Sequence, residues 1–97
     1  MGIVSLIRET GGSMLEISMF YGIVIYMYYQ NHMPPHFHAR YQGAEACFTF
    51  DGGLMDGDFP AKQRKLVAAW SVLSAGELET DWELARNKQE FFRIRPL

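Results

Sequence analysis

All three histidines of the chain fall within one short window, His32-x3-His36-x-His38. Residues two apart on a strand point to the same face about 6.5–7 Å apart, so the imidazoles of His36 and His38 can converge on one ion or one substrate. With His32 closing from the preceding loop, three ring nitrogens and an open fourth position make a catalytic zinc arrangement; Cys47 is an alternative fourth ligand. The metal candidates are therefore His32, His36, His38 and Cys47, with zinc the first divalent ion to consider. Metal-free chemistry is the other active reading. Two imidazoles titrating near about pH 6.5 can act as base and acid in cleaving RNA through its 2′-OH, while Arg40 stabilises the phosphorane charge. That makes His36, His38 and Arg40 the catalytic candidates, with Tyr28 or Tyr29 as a stacking platform or as simple core packing. Cys47 beside His38 also raises a thiolate nucleophile, although no orienting third group is visible and cysteine is often just a small buried residue. The plainest reading leaves the histidines bonded to the backbone of the adjacent Pro34-Pro35 corner, covering a polar sheet face.

A second chemistry-bearing cluster is cationic. Lys62, Arg64 and Lys65 crowd the start of a helix opening near Pro60, where the helix dipole is already positive. An anion such as a phosphate, or a partner's carboxylates, would suit that end, with Arg93 and Arg95 as an extension of the patch. Asp56 and Asp58 just upstream offer the competing outcome, a neutralised and solvated face.

The elements that must position these groups follow from periodicity. Residues Ile17 to Tyr29 are β-branched and aromatic with scarcely a charge, the composition of one central strand buried on both faces. Gln30 to Pro35 break the pattern, and two prolines remove two N–H donors to leave a stiff loop. Phe37, Ala39 and Tyr41 then alternate with His36, His38 and Arg40. After Gln42-Gly43, Ala44, Ala46, Phe48 and Phe50 alternate with Glu45, Cys47 and Thr49. A two-residue turn at Gln42-Gly43 sets Tyr41 against Ala44, Arg40 against Glu45, Ala39 against Ala46, His38 against Cys47, Phe37 against Phe48 and His36 against Thr49. One face is then wholly apolar, and slipping by one residue would bury the histidines. Asp51-Gly52-Gly53 reads as a second turn, followed by a short strand within Leu54 to Phe59. Pro60 opens a helix to about Leu73. Ser74 and Glu77 form a capping box for a second helix carrying Leu78, Trp82 and Ala85. Phe92 and Ile94 alternate with Arg93 and Arg95 as a short final strand. The expected fold is α+β: a twisted antiparallel sheet of three to five strands with two consecutive helices packed on its apolar face. Trp70 and Trp82 anchor those helices, and the histidine face looks toward solvent or a partner.

Composition bounds the rest. Ninety-seven residues, 48% hydrophobic and 21% charged, exclude the disordered class and leave room for one domain. We read residues 1–13, ending at Gly11-Gly12-Ser13, as a flexible extension and 14–97 as the single α+β domain. A formal charge of -2 supplies no bulk attraction to nucleic acid or anionic membrane. The most apolar run, Met19 to Tyr29, is well short of the about 20 residues a spanning helix needs, and Arg8 and Glu9 interrupt any signal-peptide pattern. The lone Cys47 permits no intrachain disulfide and fits a reducing cytoplasm.

The run His32-Met33-Pro34-Pro35-His36-Phe37-His38-Ala39 resembles the H-x-P-P-H-F-H-A stretch of the box N-x-H-x-P-P-H-F-H-A of a family of short bacterial proteins known as a domain of unknown function. The likeness takes in Phe20-Tyr21-Gly22-Ile23 before the box and Trp82-Glu83-Leu84-Ala85-Arg86 after it, covering about Ile17 to Leu97. The resemblance implies no mechanism. It implies a context, because members are thought to sit beside another small gene, as toxin and antitoxin pairs do. Together with the small size and the incomplete catalytic set, this favours a cytoplasmic binding partner for the neighbouring gene's protein. An RNA-cleaving or metal-dependent hydrolase using His36 and His38 is the rival, and a purely structural module the third reading.

Overall fold

The computed structural model describes residues 14–29 and 33–97; the expected extension at 1–13 and the candidate ligand His32 lie outside the described residues. The elements run β1 (Met14–Phe20), β2 (Ile23–Tyr28), β3 (Phe37–Tyr41), β4 (Ala44–Phe48), β5 (Leu54–Gly57), α1 (Ala61–Leu73) and α2 (Ala75–Arg86). The strands form one antiparallel meander in the order β1-β2-β3-β4-β5. This is the expected α+β class, with five strands and two consecutive helices.

The single central strand expected over Ile17 to Tyr29 is in fact a hairpin. Tyr21 and Gly22 both take positive φ, 51° and 78°, and reverse the chain so that Phe20 pairs with Ile23 and Met19 with Val24. Two consecutive left-handed residues make the tight turn that matches strand twist, and Gly22 adopts that conformation at no steric cost. The apolar composition still reflects burial, since Ile17, Ile23, Ile25 and Met27 are all inaccessible to solvent.

The β3–β4 hairpin has the register that alternation dictates. Gln42 and Gly43 form the turn at φ 46° and 87°, and Phe37 pairs with Phe48, His38 with Cys47, Ala39 with Ala46, Arg40 with Glu45 and Tyr41 with Ala44. The apolar face of this ribbon carries the helices. Phe37 stacks on Phe48 at 5.7 Å and meets Trp70 edge-on at 5.5 Å, while Phe59 closes on Phe48 at 5.5 Å. Edge and offset aromatic pairs of this kind add about 0.5–1.5 kcal/mol each beyond the area they bury.

Helix α1 starts directly after Pro60, whose carbonyl accepts from Arg64 N–H. Ser74 ends α1 and begins α2, donating its N–H back to Ser71 and Trp70 while its carbonyl accepts from Leu78 N–H. The capping box expected at Ser74 and Glu77 does not form. Ser74 sits at φ -111° and ψ 14°, outside the extended conformation an N-cap side chain needs, because the same residue must close the preceding helix.

The expected final strand is an extended strap without a ladder. Ile94 N–H bonds to Ile17 O at 2.6 Å, Arg93 pairs with Glu16 at 3.1 Å, and Trp70 Nε1–H bonds to Arg95 O at 2.9 Å. Phe92 N–H bonds to Asp81 Oδ1 at 3.0 Å. Side chains and one backbone bond thus fasten the segment across β1 and both helices. No described helix is long and apolar enough to cross a membrane.

Candidate functional site

The sheet register sets one row of polar side chains across all five strands: Glu16, Tyr26, His38, Cys47 and Asp56 are successive cross-strand partners. Because side chains alternate faces along a strand, the buried Phe37 and Ala39 face the helices and place His38 on the opposite side. The ring of His38 stacks on Tyr26 at 5.2 Å, meets Tyr28 edge-on at 4.9 Å and meets His36 at 5.2 Å. The two imidazoles of the box therefore touch, and Cys47 is beside His38.

The electrostatics favour the neutral forms of His38, Cys47 and Tyr26. Burial, reinforced by His36, holds the His38 pKa down at about 4. Burial, with Asp56 and Glu45 adding to it, pushes the Cys47 thiol up, and burial pushes the Tyr26 phenol up to about 12. The 3.3 Å contact between Cys47 Sγ and His38 Nδ1 is accordingly one between a neutral thiol and a neutral imidazole. An activated thiolate needs the reverse shifts. Arg40, the expected phosphorane stabiliser, lies over the Tyr26 ring at 5.2 Å and pairs with Glu45 at 3.6 Å, both side chains exposed.

His36 departs from the expected outward aspect. Only 5% exposed, it donates from Nδ1 to Pro34 O at 2.7 Å and sets its ring 5.5 Å from Trp82 on α2. The bond to the Pro-Pro corner is the one the plainest reading of the histidines requires. Among the described residues, no three His, Cys, Asp or Glu side chains group as a metal's ligands would.

Tyr28 reaches the His38 cluster, whereas Tyr29 points away and packs on Phe91 at 4.8 Å. Lys62, Arg64 and Lys65 all stand exposed on the first turns of α1, and among the described residues no ion pair joins them to Asp56 or Asp58. Arg93 is committed to Glu16, and Arg95 lies by Trp70, about 12 Å further along α1 than Lys62, so neither extends the cationic cluster.

The contact of His36 with Trp82 opens onto a feature that local pattern does not reveal. Met33 and Pro35 on one side and Glu79, Trp82, Glu83 and Arg86 on the other enclose a groove of about 320 Å³, floored by Phe50. Phe50 meets Trp82 edge-on at 6.0 Å. Met33, 59% exposed, stands at its mouth. The Pro-Pro corner and the Trp82–Arg86 stretch, nearly fifty residues apart in the chain, thus form one concave surface.

A family model, described as a domain of unknown function (DUF4160), matches residues 22–83. The chain belongs to the DUF4160 family. The DUF4160 match runs from the β1–β2 turn to Glu83 in α2, so it includes the histidine box and all of the groove's lining except Arg86. No curated protein and no solved structure matches the chain.

Proposed function

We propose that this DUF4160 chain is a small bacterial cytoplasmic binding partner in a two-gene, toxin–antitoxin-like module, and that its groove beside Trp82 is where the partner docks. The observation that carries the reading is the 5.5 Å contact between His36 and Trp82, which joins the box to α2 and builds a concave, partly apolar surface out of both. The side chains that looked catalytic support it from the other direction. A neutral, half-buried His38 and a neutral Cys47 act as packing and hydrogen-bonding groups that hold the corner in shape. Co-expression with the protein encoded by the neighbouring gene, followed by size-exclusion chromatography with mass measurement, tests the reading. We expect a stoichiometric complex; two proteins that elute apart at micromolar concentration would overturn it.

Hydrolysis by His36 and His38 keeps one observation in its favour, two imidazoles with ring centroids 5.2 Å apart. It needs one of the two to carry a proton near neutral pH, and burial opposes that at His38. A metal-dependent form would draw on His32, His36, His38 and Cys47. Near-equimolar zinc in chelator-free protein, lost on His36→Ala, would favour that form; RNA cleavage undiminished by His36→Ala and His38→Ala would remove the metal-free one.

A further inference from the structure

We infer that the groove accepts an apolar side chain presented next to a lysine or arginine on a segment of the partner protein. This rests on the binding-partner reading and adds the chemistry of the bound segment.

The lining divides into two parts. The interior is apolar, with Met33, Pro35, Phe50 and Trp82, and its volume suits one or two side chains rather than a large cofactor. Met33 and Trp82 belong to residue types enriched at the centres of protein interfaces, and an exposed thioether repacks readily around an incoming group. The rim is acidic. Glu79 and Glu83 stand four residues apart on α2, hence on one face and about 6 Å from each other. Among the described residues Glu79 has no ion pair, and Glu83 has only Arg86, at 3.7 Å with both side chains exposed. Such an exposed pair is worth about 0.5 kcal/mol or less, so an incoming cation displaces it at little cost. Two carboxylates along one wall of an apolar slot complement a segment that places a basic residue beside a leucine-like one. A nucleic-acid backbone meets the wrong charge here.

The test uses two probes and the intact chain. Fluorescence anisotropy follows a labelled decapeptide with two leucines flanked by lysines, and a counterpart in which glutamates replace the lysines. The lysine peptide should bind, the glutamate peptide at least about tenfold more weakly, with the preference shrinking as salt rises. Glu79→Lys with Glu83→Lys should reverse the preference, and Met33→Asp should abolish binding of both; all three positions are exposed, so circular dichroism should show the fold intact. The same variants are then tried in the co-expressed complex. No complex with the neighbouring protein would defeat the binding-partner reading. A complex that forms, yet keeps its affinity in both Met33→Asp and the charge-reversed variant, would defeat this inference alone. Equal binding of the two peptides, or filling of the groove by a second copy seen as concentration-dependent dimerisation lost in Met33→Asp, would also overturn it.

Discussion

The Sγ of Cys47 lies 3.3 Å from Nδ1 of His38, in a pair where both groups are held in their neutral forms. Cys47 should therefore behave as a slow thiol. Iodoacetamide at pH 7 is expected to alkylate it well below the rate for the urea-unfolded chain, since only thiolate reacts. A folded protein that reacts faster than the unfolded one would show an activated thiolate and reverse the assignment.

The depressed His38 pKa sets the direction of acid sensitivity. The unfolded imidazole binds its proton near 6.5 and the folded one near 4, so stability from this site is fully present above about pH 6.5 and lost as pH falls toward 4. Allowing for partial solvent access, the loss should be about 2 kcal/mol. Urea denaturation at pH 7.5 and 4.5 measures it, and His38→Gln should flatten the dependence. A proton NMR titration that finds the ring charging near 6.5 would remove the effect.

Which parts of this arrangement were legible in the sequence depends on the range of the contacts involved. The β3–β4 ribbon was, because strict alternation on both sides of Gln42-Gly43 admits one register that buries Phe37 and Phe48 together. The Tyr21-Gly22 turn was not: an aromatic at φ 51° is an uncommon turn residue, and Gly22 was its only local signal. Periodicity also had no access to the Trp82 groove. Its walls come from Met33 and α2, and which residues meet at such separations is set by how the helices settle on the sheet.

Glycine positions divide sharply by what a methyl group would touch. At Gly57, with φ 88°, a Cβ would stand 2.5 Å from Glu45 O and 2.9 Å from Ala46 Cα, both backbone atoms of the paired strand. Gly57→Ala should cost about 2–4 kcal/mol through clash and strain together. Gly76 in α2 has open space around it, so Gly76→Ala should gain about 0.5–1 kcal/mol. Thermal melts of the two variants should move in opposite directions.

Asp81 separates a hydrogen bond from a charge. One carboxylate oxygen accepts from Phe92 N–H, while burial, the larger effect, pushes the pKa upward despite that bond. Asp81→Asn keeps an acceptor and sheds the charge, so it should leave neutral-pH stability unchanged or raised. Asp81→Ala strands the Phe92 donor and should lose about 1–2 kcal/mol. Chemical denaturation at pH 7 ranks them, and a less stable Asn variant would contradict the account.

The strap formed by residues 91–97 also limits how these molecules can aggregate. With Ile94 bonded to Ile17 and Arg93 lying across Glu16, the strap obstructs the middle of the outer edge of β1, while β5 is the outer strand on the far side. An incoming strand therefore meets an obstructed edge at β1, and β5 is the less hindered place for strand pairing.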